Sequence, residues 1–363
     1  MRLASCIAAE ITIGVALIAG TTSGVVWGIG HLRSETPGEA PAPRVATAPA
    51  ARPAAAETRT EGIVAEPADD QPATTFAGKP DEELMAPVRE AAIARVKIGK
   101  CCTSLNMRID FDSGARAAFK PEQLHRGSMP RKEIAAYRMD RLLDIGAVPP
   151  AIGRQFRVEE IASRIQGESP ADRKRFTTEM VTQSGEVKGE LSWWIPDLSK
   201  PTIDGVLIDS AEGVAVWQRH LTIGSDVPER HRDLLAQISV VLVFDFVVNN
   251  LDRWSGSNIL ASADGTVLYF MDNTMAFRPQ PRGHSKARGY LRRSQRFSRS
   301  LVSILRGLGV DEVRDAMSRD LGPFPYLLTE PEIAAVMARR DAALLYIEEL
   351  IAQHGEGAVL VFP

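Results

Sequence analysis

The spacing of apolar residues changes along the chain, and this change predicts two kinds of local structure. Two apolar runs flank the turn signal Asp112-Ser113-Gly114 and predict a β-hairpin. A second hairpin is predicted around Ala263-Asp264-Gly265, with strands at 258–261 and 266–271. Helical spacing elsewhere predicts helices at 81–96, 130–145, 211–221, 230–248, 294–308 and 330–354. This order predicts an α+β fold with two lobes, a small mixed β/α lobe followed by a mainly helical lobe.

Polar residues with metal-binding chemistry surround the second hairpin. The loop before the hairpin carries Asp252, and the hairpin ends in Asp272, so Asp252, Asn258 and Asp272 are brought to the same end of a short ribbon. Carboxylate and amide oxygens are hard ligands that suit Mg²⁺ or Mn²⁺. A carboxylate free of the metal can accept a hydroxyl proton. The alternative is structural: Asp252 and Arg253 form a local ion pair, and Asp272 is a turn residue at a strand end.

The N-terminal part differs in composition from the rest. The stretch 11–30 is uncharged, and twenty helical residues rise about 30 Å, the thickness of the hydrocarbon core. We therefore predict a single-pass membrane anchor within residues 1–35, with a cleaved signal peptide as the alternative. Residues 36–80 are rich in Pro and Ala and predict a disordered linker. The folded domain is predicted at 81–363. The side of the membrane that it faces is not encoded.

Composition and charge exclude some functions. The chain has 363 residues, a formal net charge of −3 and a pI of about 6.1, so we expect no nucleic-acid partner. Basic residues do cluster at 278–299, which is interpreted either as a solvated loop or as a site for an anionic substrate. Cys6, Cys101 and Cys102 show neither zinc-binding spacing nor a disulfide framework.

The motif of the second half resembles a known group of kinases. An Asp, an Asn-x-Asp-Arg, an Asn and a strand ending in Asp-Asn follow one another here as Asp245, Asn250-Leu251-Asp252-Arg253, Asn258 and Asp272-Asn273. This order resembles the secretory-pathway kinases of the Golgi casein kinase and four-jointed type. It is more distantly similar to HipA toxin kinases and phosphatidylinositol-type lipid kinases. The resemblance implies that Asp252 is the catalytic aspartate, Asp272 the metal aspartate and Asn258 the second metal ligand. Asn258 follows Asp252 by six residues, whereas kinases commonly have five.

The first half supplies residues for a nucleotide. The segment RAAFKP places Lys120 at the end of a strand, and the next helix carries Glu133 in its first turn. In kinases a strand lysine binds the nucleotide phosphates and pairs with a helix glutamate, which the resemblance implies for Lys120 and Glu133. The alternative is that both are surface residues. A phosphate-covering glycine loop is not evident, but Ser104 precedes the first strand and is a candidate phosphate contact.

The resemblance covers roughly residues 97–363 and implies an ATP-dependent phosphotransferase of the atypical kinase fold. The γ-phosphate would pass to a hydroxyl acceptor, a protein Ser or Thr, with Mg²⁺ or Mn²⁺ as cofactor. A sugar or lipid hydroxyl is an alternative acceptor. Two further alternatives are a pseudokinase that binds nucleotide without turnover, and a membrane-tethered binding domain without a nucleotide site.

Overall fold

The computed structural model describes residues 75–100, 103–167, 169–255 and 258–363. The anchor predicted at 11–30, most of the linker and the Cys101-Cys102 pair lie outside these residues. Within the described part, no helix has both the length and the apolar character that a membrane crossing requires. Residues 75–80, which composition assigns to the linker, form the strands Thr75–Phe76 (β1) and Lys79–Pro80 (β2). The reason is Phe76, whose ring is buried against Trp193 and Tyr269.

The N-terminal lobe is built on a five-stranded antiparallel sheet with the order β3-β4-β5-β7-β6. Its strands are Ile93–Ile98 (β3), Met107–Phe111 (β4), Arg116–Pro121 (β5), Ala151–Arg157 (β6) and Glu186–Trp193 (β7). Four helices belong to this lobe: Asp81–Arg89 (α1), Pro130–Leu142 (α2), Val158–Arg164 (α3) and Pro170–Glu179 (α4). The apolar side chains of the sheet form their own buried core. The predicted small mixed lobe is therefore confirmed.

One predicted element of this lobe is wrong in its second half. The helix expected at 81–96 ends at Arg89, and Ile93–Ile98 forms an edge strand that pairs with β4. Val96 and Ile98 are buried with the strand period of two, and a register irregularity between Ile93 and Arg95 brings Ile93 inside as well. Pairing with β4 satisfies its backbone, and tertiary contacts override the helical spacing of a short apolar run.

The first predicted hairpin is confirmed, and it positions Lys120. Strands β4 and β5 pair antiparallel, and Gly114 takes the left-handed conformation (φ 82°) that the tight turn requires. Along β5 the buried Ala117 and Phe119 face the lobe core. Lys120 is therefore directed to the opposite face of the sheet, toward the second lobe.

The C-terminal lobe is mainly helical, as predicted. It contains Ala211–His220 (α5), the 3₁₀ turn Glu229–His231, Arg232–Val248 (α6), Ser285–Leu291 (α7), Arg299–Gly307 (α8), Val310–Ser318 (α9), Glu330–His354 (α10) and Glu356–Val359 (α11). Its short strands are Leu198–Ser199 (β8), Thr202–Ile203 (β9), Val206–Leu207 (β10), Ile259–Ser262 (β11) and Leu268–Phe270 (β12). Helix α6 is buried over most of its length and forms the centre of the core.

One helix of this lobe begins later than expected, and the second hairpin forms as expected. The helix predicted at 294–308 begins only at Arg299, where the Ser298 hydroxyl accepts a hydrogen bond from Leu301 N. The second predicted hairpin is confirmed as β11 and β12, which pair antiparallel. Its turn contains Gly265 in the left-handed region (φ 76°). This hairpin places the loop before β11 and the residues after β12 at the same end of the ribbon.

Candidate active site

The loop that carries Asp252, the predicted catalytic loop, begins where helix α6 ends. Asn249 terminates the helix in the left-handed conformation (φ 58°), which turns the chain out of the core. The Asn250 side chain accepts a hydrogen bond from Asp252 N at 3.0 Å. The Asn258 amide donates to Asp252 Oδ2 at 3.0 Å. The structure thus brings together the predicted catalytic aspartate and the predicted second metal ligand. Residues 256–257, which lie between Asp252 and Asn258, are outside the described chain.

A second cluster joins the two lobes around Lys120. Its ammonium lies 2.6 Å from Glu133 Oε1 and 2.9 Å from Asp272 Oδ1. The other oxygen of Glu133 accepts a hydrogen bond from Asn273 Nδ2 at 3.2 Å. The lysine side chain is only 13% exposed and that of Glu133 only 6%. The alternative that both are surface residues is therefore wrong.

Electrostatics within this cluster favours the charged forms. Burial by itself would lower the pKa of Lys120, but the carboxylates of Asp272, Glu133 and Glu190 outweigh it and raise the pKa above its ordinary value. The same ammonium lowers the pKa of Asp272, against the opposing effect of burial. Both groups therefore remain ionised at neutral pH.

Asp272 has the geometry of a residue held for function. Its backbone lies in the left-handed region (φ 54°), which non-glycine residues adopt at a cost of about 1–3 kcal/mol. Lys120 and the Thr274 hydroxyl both donate to Oδ1, the latter at 2.9 Å. In the described part of the chain no donor reaches Oδ2, and the side chain is 32% exposed in the cleft. One carboxylate oxygen therefore remains available to a ligand.

Arg253 connects helix α6 to the residues around β11 and β12 through its side-chain hydrogen bonds. It is fully buried, and its Nε lies 3.1 Å from Asp245 Oδ1. The guanidinium also donates to Asn273 Oδ1 at 2.5 Å, to Asn258 O at 3.1 Å and to Met271 O. The proposed local ion pair of Arg253 with Asp252 is therefore wrong, because Asp245 is the carboxylate partner. Asp245 connects helix α6 to the catalytic loop, as its position before the loop suggests.

Replacing Arg253 by methionine is expected to lower the free energy of unfolding by about 3–5 kcal/mol, because Asp245 would remain as a buried unpaired charge. Burial already raises the pKa of Asp245 to about 6, against the effect of Arg253. Urea unfolding followed by tryptophan fluorescence measures the loss, and Asp245→Asn added to Arg253→Met should restore part of it. Arg314→Met, on an exposed arginine, should leave stability close to that of the parent. Equal stability of Arg253→Met and Arg314→Met would contradict a buried unpaired charge at Asp245.

A cleft of about 390 Å³ opens between the two clusters and is lined by residues of both lobes. Lys120, Asn258 and Asp272 lie along its polar end. Its apolar walls are formed by Ile98, Ala118, Trp194, Leu260 and Met271. Of the two tryptophans Trp193-Trp194, the first packs on Phe76 and the second borders this cleft. The cleft has the size and the mixed lining of a small-molecule site.

Ser104, the predicted phosphate contact, is not among the described residues that line this cleft. The neighbouring segment contributes Lys97, Gly99 and Asn106 instead. The backbone N of Gly99 donates to Asn106 O, so a hydrogen bond joins the two ends of the segment between β3 and β4. A role of Ser104 in nucleotide binding stays a prediction.

Glu190 is a component of the site that the sequence did not indicate. It lies directly opposite Lys120 in the β5–β7 ladder and is 1% exposed. The Ser192 hydroxyl donates to Glu190 Oε2 at 2.7 Å. Burial raises the pKa of Glu190 well above its ordinary range, and nearby Glu133 adds to the rise. Only the strand register, which places Glu190 beside a buried lysine, could have identified it.

The basic cluster at 278–299 contains eight Lys and Arg residues and no Asp or Glu. Part of it is structural, since Arg296 is buried and Arg299 pairs with Glu356. Another part reaches the catalytic loop: Lys286 donates to the Ser255 hydroxyl at 2.7 Å, and His284 N donates to Asn249 Oδ1 at 2.8 Å. These contacts do not test the interpretation as a site for an anionic substrate, which stays a prediction.

Comparison with known proteins agrees with this architecture. No family model matches the chain. The chain is 25% identical over 304 residues to the pseudokinase FAM20A of Mus musculus, covering 70% of this chain and 56% of that protein. It is 24% identical over 305 residues to the human pseudokinase FAM20A, covering 71% and 56%. The chain thus spans little more than half the length of these relatives.

Solved structures share the fold. The Golgi casein kinase superposes with a TM-score of 0.59 at 17% identity, covering 77% of this chain and 78% of that one. The same kinase with Mn and ADP bound gives 0.59 at 16% identity, with the same coverage. A hydra Fam20 with sugar gives 0.57 at 16% identity, covering 76% of this chain and 90% of that one. The predicted resemblance is confirmed: this chain is similar in sequence to the pseudokinase FAM20A and has the two-lobed fold of the Golgi casein kinase.

Proposed function

We propose that this protein is an ATP-dependent phosphotransferase that moves the γ-phosphate to a hydroxyl acceptor, a protein Ser or Thr. The observation that carries the proposal is the convergence of Lys120, Glu133 and Asp272 from three separate elements, with Lys120 and Asp272 lining one cleft. Asn258 lines the same cleft and donates a hydrogen bond to Asp252. Phosphoryl transfer depends mainly on positioning and charge neutralisation, and these residues supply both.

Lys120 is the residue assigned to the nucleotide phosphates. Its ammonium is a compact charge with two carboxylate neighbours, so it stays protonated although it is buried. Glu133 pairs with it from helix α2, and Asp272 pairs with it on the side where the phosphates would bind. The apolar walls that include Ala118, Leu260 and Met271 suit a flat purine base.

Asp272 and Asn258 are the residues that would hold Mg²⁺ or Mn²⁺. Asp272 Oδ2 is free of donors within the described chain, and Asn258 uses its amide nitrogen on Asp252, which leaves its carbonyl oxygen available. Such oxygen donors fit a hard divalent cation. When bound, the cation would neutralise charge on the phosphates. A solved structure of the same fold contains Mn and ADP, which supports this assignment.

Asp252 is assigned to the acceptor hydroxyl. The Asn258 amide donates to Oδ2 of the Asp252 carboxylate, and the Asn250 side chain accepts a hydrogen bond from Asp252 N. No donor of the described residues reaches Oδ1, so this oxygen is able to take the proton of an acceptor hydroxyl. Asp252 is half-buried and bonded to Asn258, a residue that lines the cleft, which agrees with contact to an acceptor.

A second candidate function is a pseudokinase, because the similar relatives of mouse and human are both named pseudokinases. In that case the cleft would bind nucleotide or a partner without turnover. The assembled Lys120–Glu133 pair and the retained Asp252 and Asp272 support the active enzyme instead. A sugar or lipid hydroxyl stays an alternative acceptor, and one structure of the same fold was determined with sugar.

We also propose that the uncharged stretch 11–30 anchors the protein in a membrane. The protein should then remain in the membrane pellet at high salt and high pH and be released only by detergent. Release by alkaline carbonate would contradict an anchor.

The full chain, incubated with γ-labelled ATP and Mn²⁺, tests the choice of acceptor. Serine-rich unfolded protein, free glycans and phosphoinositide vesicles are offered in separate reactions. Label on the protein acceptor is the expected result, and label only on glycan or lipid would reassign the acceptor. An ATP-dependent rise in melting temperature without label on any acceptor would favour the pseudokinase.

A further inference from the structure

Three consecutive residues at the start of helix α2 make different long-range contacts. Glu133 reaches Lys120 in the cleft, as described above. Arg131 and Lys132 instead reach Glu332, in the first turn of helix α10. Lys132 is 3% exposed and Glu332 is 5% exposed, so this is a buried contact between the lobes.

Both carboxylate oxygens of Glu332 accept hydrogen bonds. Arg131 donates through both terminal nitrogens, at 3.0 Å to Oε2 and 3.1 Å to Oε1. Lys132 Nζ lies 3.3 Å from Oε1. Thr329 donates to Oε2 through its backbone and its hydroxyl, at 2.9 and 3.0 Å. A bidentate Arg–carboxylate pair of this kind fixes orientation as well as distance.

Lys132 extends the contact to the segment after the metal aspartate. Its ammonium donates to Ala276 O at 2.7 Å, four residues beyond Asp272. Helix α2 is therefore tied at one point to α10 and to the chain that carries Asp272. Because Lys132 and Glu133 are adjacent, a rotation of α2 that separates Glu133 from Lys120 must also break these buried bonds.

We infer that Glu332 is a positioning residue: through Arg131 and Lys132 it holds helix α2 in the orientation that pairs Glu133 with Lys120. In kinases the placement of this helix decides whether the lysine–glutamate pair forms, and it is often controlled by phosphorylation of a loop. Here charges within the chain itself hold the helix, so the pair forms without a modified residue or a partner. The inference rests on the proposed function for its effect on turnover, but the helix contact is independent of it.

Glu332→Gln tests the inference, with Glu330→Gln as the matched control. Glu330 lies in the same helical turn but is exposed and pairs only with Arg314 in the described chain. Hydrogen exchange of the 130–142 peptide reports the helix directly. Glu332→Gln should speed exchange there by about tenfold while other buried helices keep their protection. Glu330→Gln should leave it unchanged.

Turnover gives the second measurement. Glu332→Gln should lower kcat/KM for ATP by about tenfold, and Glu330→Gln by less than about twofold. Parent-like exchange and parent-like turnover in Glu332→Gln would overturn the inference. If no variant forms ADP, the exchange result alone decides the role of Glu332, and the proposed function fails separately. If Glu332→Gln does not fold, Lys132→Met replaces it, because this variant keeps the Arg131–Glu332 pair. Lys132→Met should show the same selective increase in hydrogen exchange at 130–142. Parent-like exchange in Lys132→Met would overturn the inference.

Discussion

Replacing Asp272 by asparagine should abolish the metal dependence of ATP binding and lower ADP formation by about a hundredfold or more, as loss of a transition-state charge contact does. Asparagine is the appropriate substitution because it tolerates the left-handed backbone of this position (φ 54°), so the fold is retained. The change removes the negative charge that faces the cleft and releases Lys120 from one of its two carboxylates. Binding of ATP without metal should therefore persist or become stronger.

Calorimetric titration with ATP, in Mn²⁺ and in EDTA, measures this effect directly. Asp264→Asn is the matched control, since Asp264 lies in the turn of the same β11–β12 hairpin and, among the described residues, its side chain hydrogen-bonds only with Ser262 and Thr266. It should bind ATP as the parent does under both conditions. A metal-dependent gain in affinity that survives in Asp272→Asn would show that the cation is held elsewhere.

Replacing Asp252 by asparagine should lower kcat by about a hundredfold to ten-thousandfold while ATP affinity stays near that of the parent. The physical reason is that Asp252 is separate from the cluster around Lys120, to which the nucleotide phosphates are assigned. Asp252 contacts Asn250 and Asn258, whereas Lys120 contacts Glu133 and Asp272. Asparagine retains an oxygen for the Asn258 amide but cannot accept a hydroxyl proton. The loss should therefore appear in turnover and not in binding.

Steady-state kinetics of ADP formation, together with the ATP-dependent shift in melting temperature, separates the two effects. Asp233→Asn, an exposed position near the start of helix α6, is the control and should leave both measurements unchanged. An unchanged kcat in Asp252→Asn would remove Asp252 from the chemistry. A loss of ATP affinity equal to the loss of turnover would move it to the binding site.

The residues whose arrangement the sequence itself predicted are those that lie close together along the chain. A helix, a loop and a tight hairpin leave little freedom in the placement of Asp252, Asn258 and Asp272, so a contiguous pattern was sufficient. Lys120 and Glu133 lie 13 residues apart and meet because α2 packs on the sheet. Their pairing was implied only by the resemblance to kinases.

The residues that the sequence missed depend on strand register and on contacts between distant elements. Glu190 joins the site because β7 pairs with β5 in a register that sets it opposite Lys120. Glu332 is 201 residues away from Arg131, so no local pattern connects the two. The strand at Ile93–Ile98 was mistaken for helix because a short apolar run fits both periods until its partner strand is known.

ADP formation by the purified full chain, with ATP and either Mn²⁺ or Mg²⁺, tests the central claim most directly. We predict that ADP accumulates in proportion to the enzyme concentration and that EDTA stops ADP formation. Asp252→Asn and Asp272→Asn should both lose this activity. A parent chain that forms no ADP with any hydroxyl acceptor, and whose melting temperature ATP does not change in the presence of either metal, would contradict the site described here.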